Sequence, residues 1–94
     1  MVKHIVMWNL ADKENAVATA AKMKEKLEGL VGVVPGLKSA WVHKSFAGYD
    51  VVLITELESR GALAVYQEHP AHLEVKKFIH TVITDRAFCD FEME

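Results

Sequence analysis

Residues 2 to 10, VKHIVMWNL, alternate as a strand does, and both of the resulting faces are apolar. Val2, His4, Val6, Trp8 and Leu10 fall on one side; Lys3, Ile5, Met7 and Asn9 fall on the other. A strand with one side in water would carry polar groups there. Ile5 and Met7, at the centre of the second side, therefore call for a sheet covered on both faces. No other feature constrains the fold as much.

The pattern recurs at residues 50 to 57, DVVLITEL, with Val51, Leu53 and Thr55 opposed to Val52 and Ile54. Residues 37 to 46, LKSAWVHKSF, read as a strand of lower apolar content, nearer an edge, and Ala47-Gly48-Tyr49 as the turn that follows. Residues 84 to 93, TDRAFCDFEM, alternate as a last strand, Ala87, Cys89 and Phe91 against Phe88, Asp90 and Glu92. Cys89 is expected to be a buried, inert thiol.

Two helical regions separate these strands. Asp12 is the expected N-cap of a helix running to about Leu30 or Val34. Val17, Ala20, Met23, Leu27, Leu30 and Val34 form its apolar stripe, with Lys22, Lys24, Glu25 and Lys26 largely off it. Pro35-Gly36 stops it. Ser59 caps a second helix that includes Leu63 and Tyr66. Pro70 interrupts that helix, because proline lacks the N–H and clashes with the preceding turn. Proline also suits a first helical turn, so a new run starts there and continues through His72, Val75, Ile79 and Val82.

The order is β-α-β-β-α-β over a single domain, residues 1–94. This is an α+β, ferredoxin-like arrangement: a four-stranded antiparallel sheet with both helices on one face. The other face still carries Ile5, Met7, Val52 and Ile54. A second copy of the same sheet is the simplest cover, which makes a homodimer through the sheet face, a dimeric α/β barrel. A chain of 94 residues buries only a modest core alone, which favours association.

The net charge of −2 points to no nucleic-acid partner and no anionic membrane surface. The lone cysteine excludes an intrachain disulfide framework and fits a reducing compartment. The opening MVKHIVMWNL lacks the form of a signal peptide, and no apolar stretch is long enough to span a bilayer. A cytoplasmic location without membrane attachment is expected.

Chemistry-bearing side chains gather in YQEHPAHLEVKKFI, residues 66 to 79. His72 heads the stripe with Val75, Ile79 and Val82, so it points inward. A buried imidazole stays neutral and can serve as a general base, removing a proton α to a carbonyl. It can equally be a core histidine held by a hydrogen bond at the helix break. Tyr66 is either a donor to a substrate oxygen or a core residue with its hydroxyl at the rim. His4 meets His72 if its face of the strand is the helix-facing one, and lies in an interface if not. Trp8 and Trp41 line a pocket or pack in a core or interface. His69 and His72, three apart, are spaced to share a metal. No carboxylate or cysteine completes such a site and Pro70 distorts it, so no metal is expected, and His69 reads as a cap at the break. No phosphate loop, nucleophile elbow, zinc motif or haem motif is present, and no cofactor is expected.

Four segments together resemble a known family: the opening V-K-H-I-V, Val34-Pro35-Gly36-Leu37 after the first helix, Gly48-Tyr49-Asp50 before the third strand, and Tyr66-x-x-His69-Pro70-x-His72. The chain resembles the stress-responsive A/B barrel (Dabb) family over essentially its whole length. The resemblance implies a homodimeric α+β barrel. It also brings in a plant branch of polyketide cyclases, which close a linear poly-β-ketone by intramolecular aldol chemistry without metal or cofactor. By that resemblance Tyr66 and His72 act on the substrate and His4 is a further pocket histidine. A second pocket histidine of the branch falls at Val51 here, and a pocket tyrosine at Leu27.

The expectation is a homodimer that binds a small apolar or aromatic ligand between helix and sheet. His4, His69, Trp8, Val51 and Leu27 are the candidate ligand-binding residues, and His72 and Tyr66 the candidate catalytic pair. The alternative is a cofactor-free cyclase, aldol-type lyase or isomerase, with His72 as general base and Tyr66 as oxyanion donor. Aliphatic Val51 and Leu27 favour the binding function, because they remove polar groups that a carbonyl substrate would use.

Overall fold

The first strand, β1 (Val2–Leu10), runs through the middle of a four-stranded antiparallel sheet in the computed structural model, which describes residues 1–93. It is flanked by β3 (Val51–Leu57) and β4 (Ile83–Glu92), and β2 (Leu37–Lys44) forms the far edge beyond β3. Between them lie α1 (Ala16–Glu28), α2 (Arg60–Glu68) and α3 (Pro70–Val82). The sheet order β2-β3-β1-β4 is that of the ferredoxin-like fold, as the element order predicts.

Burial follows the alternation residue by residue. Val2, His4, Val6, Trp8 and Leu10 are buried against the helices, and so are Val51, Leu53, Thr55 and Leu57 of β3. They meet Met23 and Leu27 of α1, Tyr66 of α2 and Ile79 of α3 in one core. On the opposite face Ile5, Met7, Val52 and Ile54 are only half-buried, and Trp41 of β2 is 55% exposed. The helices thus cover one face of a two-faced apolar sheet.

Polar anchors fix the edges. The Glu28 carboxylate, in the last turn of α1, accepts from the Lys24 ammonium at 2.7 Å and from the Val42 N–H of β2 at 3.0 Å. Asp50 accepts from the Leu10 N–H at 2.8 Å and pairs with Lys13, which pins the end of β1 to the start of β3. Gly36 follows Pro35 with φ of 82°, a left-handed conformation that side chains with a Cβ disfavour. A Cβ there would also come within 2.7 Å of the Ala62 Cβ. This close approach seats the start of α2 beside the start of β2.

Three expectations need correction. First, α1 is shorter at both ends than the stripe suggests. Asp12 does not cap the helix; its carboxylate takes the Glu14 N–H at 3.1 Å in a turn ahead of it. The helix stops at Gly29, while Leu30 and Val34 remain buried in the turns beyond. Second, Val17 is 72% exposed, because it overhangs edge strand β2 beside Val42 and Lys44, where the sheet ends. Third, Cys89 is exposed, not buried. It pairs with Ile5 across β1–β4, so its side chain lies on the face that no helix covers. Among the described residues, no helix is long and apolar enough to cross a membrane.

Candidate functional site

The break at Pro70 builds the site. In an unbroken helix the N–H of residue 70 would bond the carbonyl of Tyr66, and proline has none to give. His69 turns extended, with φ of −64° and ψ of 132°, as the residue before a proline prefers. Its Nδ1 accepts the Ala71 N–H at 3.1 Å, so His69 is the N-cap of α3. The freed end of α2 is then served from α3. The His72 Nδ1–H donates to the Tyr66 carbonyl at 2.9 Å, and the Lys76 ammonium donates to the Gln67 carbonyl at 3.2 Å. A carbonyl can only accept, so Nδ1 carries the proton in neutral His72 and the Nε2 lone pair is left over.

His72 is buried, and burial lowers its pKa to about 4. The bond to the Tyr66 carbonyl opposes this shift, and the nearby charges of Lys76, His4 and His69 add to it. The imidazole stacks on the Tyr66 ring, with centroids 4.0 Å apart and planes at 19°. Tyr66 itself is fully buried, and its hydroxyl has no hydrogen-bond partner among the described residues. Burial pushes the phenol well above its ordinary pKa, so it can donate a hydrogen bond but does not ionise.

His4 faces the helices, 6.2 Å from the Tyr66 ring, edge to face. It lies opposite Thr55 on β3 and Asp90 on β4. The Thr55 hydroxyl donates to the His4 carbonyl at 2.7 Å. The His4 Nδ1–H pairs with the Asp90 carboxylate, which fixes the imidazole's orientation.

A cavity of about 170 Å³ opens beside these groups. His4, Val6, Trp8, Leu53, His72 and Ile79 form its inner wall, and Gln67, Lys76, His80 and Arg86 complete it. Of the residues singled out from sequence, the structure brings His4, Trp8 and His72 to this cavity. Tyr66 stands behind His72. His69 is engaged as a helix cap, and Val51 and Leu27 are fully buried in the core. Among the described residues no cluster of three histidine, cysteine, aspartate or glutamate side chains could hold a metal ion.

Asp90, Lys76 and Arg86 were not apparent from sequence. The face of Asp90 was readable from the alternation of β4, but its partner depends on the β1–β4 register. Lys76 and Arg86 look like ordinary surface charges until α3 and β4 are placed around one opening.

The Dabb family model, Stress responsive A/B Barrel Domain, matches residues 2–93. No match was found among curated proteins. Among solved structures, a dimeric protein of unknown function with a ferredoxin-like fold from Bacteroides fragilis is 24% identical; the match covers 98% of this chain and 95% of that one, with a TM-score of 0.88. A protein from Arabidopsis thaliana is 21% identical over 100% of this chain and 96% of its own, with a TM-score of 0.88. A Dabb family protein with a ferredoxin-like fold from Mesorhizobium loti is 13% identical over 99% and 96%, with a TM-score of 0.80. At these identities the likeness is one of fold.

Proposed function

This chain belongs to the stress responsive A/B barrel domain family, and on that premise we propose that it is a homodimer that binds a small apolar or aromatic ligand between its helices and its sheet. The observation that carries the ligand-binding function is the cavity beside His72, His4 and Trp8. Its inner wall combines an indole and aliphatic side chains with two oriented imidazoles. A small apolar pocket with a few convergent polar groups is the usual form of a ligand site. Dimerisation is supported by the half-buried apolar row Ile5, Met7, Val52 and Ile54, and by the dimeric state named for the Bacteroides fragilis structure.

Cofactor-free aldol-type chemistry is a second reading, with one specific observation in its favour. The Tyr66 hydroxyl is buried without a partner, and a protein retains such a donor at a cost unless something accepts from it. Against this, Tyr66 stands behind His72 and does not line the cavity, and a general base works best with a pKa near the working pH. His72, lowered to about 4, lies well below neutrality. Binding is therefore the primary function proposed.

The test is a backbone amide NMR titration of the purified protein with small aromatic fragments, paired with sedimentation velocity. Expected are shifts clustered at Trp8, His72 and Ile79, and a particle of twice the 10.5 kDa chain mass. Shifts scattered elsewhere, or none at millimolar fragment, would rule out the cavity as a binding site. A 10.5 kDa particle would rule out the dimer.

A further inference from the structure

The charges around the cavity identify the kind of ligand. The chain as a whole has more acids than bases, 13 against 11. Yet no aspartate or glutamate lines this cavity, while Lys76 and Arg86 both do. Elsewhere five cations find carboxylates: Lys13 with Asp50, Lys24 with Glu28, Lys38 with Glu58, Arg60 with Glu92 and Lys77 with Glu74. Lys3, Lys22, Lys26 and Lys44 make no such pair among the described residues, but the opening that Lys22 and Lys26 share also holds Glu25. Among the described residues neither Lys76 nor Arg86 lies within ion-pair distance of a carboxylate. A second cavity, of about 340 Å³, shows the contrast. Arg60 lines it together with Glu92 and Asp90, so its charge is balanced from within.

Both cations are held in place. Arg86 pairs with Trp8 across β1–β4, on the helix-facing side, and its guanidinium lies over the Phe88 ring, 5.0 Å from the centroid. Phe88 is 57% exposed, since no helix extends over that part of β4. Lys76 is half-buried and spends one N–H on the Gln67 carbonyl, which leaves two donors. Each cation has a structural role available to it, as a helix cap and as a solvated edge-strand charge. Those roles do not explain why two unpaired cations share one apolar opening that holds no acid.

We infer that the cavity selects a small organic carboxylate, with its apolar or aromatic body against Trp8, Val6, Leu53 and Ile79 and its carboxylate between Lys76 and Arg86. This rests on the ligand-binding function proposed above. A fork of guanidinium N–H groups beside an ammonium suits a carboxylate, and such charge-assisted bonds are the strong ones. The carboxylate would also offset the Lys76 charge that acts on His72.

The test compares 4-ethylbenzoate with 4-ethylbenzamide, which share shape and differ in charge, by calorimetry on the full chain at low salt. The carboxylate is expected to bind about tenfold more tightly. In Arg86→Gln, and further in Lys76→Gln with Arg86→Gln, the carboxylate-to-amide ratio should fall toward one. Added salt should narrow it too. Arg86→Gln alters an exposed edge-strand side chain, so it alone suffices if the Lys76 variant fails to fold. Equal binding of the two probes, or a preference that survives Arg86→Gln undiminished, overturns the inference and leaves the cavity as a neutral-ligand site. Binding of neither probe at millimolar concentration removes the cavity as a ligand site, and this inference with it.

Discussion

Replacing Tyr66 with phenylalanine should stabilise the protein. The Tyr66 side chain is fully buried and its hydroxyl has no partner. A buried, unsatisfied polar group costs about 1–3 kcal/mol. Tyr66→Phe removes that cost and keeps the ring that stacks on His72. The substitution leaves a void of roughly 10–15 Å³ where the oxygen was, which at about 24 cal/mol per Å³ costs about 0.3 kcal/mol. Desolvation wins, and the net gain is about 1 kcal/mol or more. For a domain of this size each kcal/mol moves Tm by about 4–8 °C. Scanning calorimetry of wild type and Tyr66→Phe, at matched protomer concentration because association shifts Tm, should show a rise of several degrees. A fall in Tm of several degrees would mean that the hydroxyl has a structural partner, and the reasoning from an unsatisfied buried group would be wrong.

Three further outcomes follow from particular contacts. His72 has a folded-state pKa of about 4 against 6.5 when unfolded. Between these values the unfolded chain binds the extra proton, so stability is full above pH 6.5 and falls as pH drops toward 4. The loss, on the order of 3 kcal/mol, should appear in urea melts across that window and vanish in His72→Gln; an unchanged slope in the variant would assign the titration elsewhere. Gly36→Ala forces a Cβ into a left-handed turn and against Ala62, and should destabilise by about 1–3 kcal/mol in urea melts; a neutral effect would mean that this turn is free to move. Met7→Lys puts a charge in the middle of the open sheet face, and burying it unpaired is costly; sedimentation should show monomer or unfolded chain, and an intact dimer would place the interface elsewhere.

The fold was legible in the sequence because its strands obey a period of two without exception in β1 and β3. Both the buried row and the half-buried row could be named from that alternation. The ends of α1 were not legible, because Asp12 serves a local turn equally well and its carboxylate is used there. The stripe misplaced Val17 for a different reason: a periodic pattern cannot tell where the sheet beneath a helix runs out. For Cys89, alternation on an edge strand names a face but not its cover.

The site was legible only where it depends on local chain. The Pro70 break, the capping His69 and the inward His72 all follow from spacing within one segment. The bond from His72 to the Tyr66 carbonyl follows from the N–H that proline lacks. The His4–Asp90 pair and the placement of Lys76 and Arg86 around one opening join residues distant in sequence. They depend on strand register and on how α3 lies over the sheet, which composition and periodicity do not encode.

The most direct test of the ligand cavity is a crystal structure of the protein soaked with 4-ethylbenzoate. Expected is density for the aromatic ring against Trp8 and Ile79, with its carboxylate between Lys76 and Arg86, in the cavity beside His72. A cavity closed by side chains, with the His72 Nε2 bonded to a protein group and no density beside Trp8 and Ile79, would contradict a ligand site in this cavity.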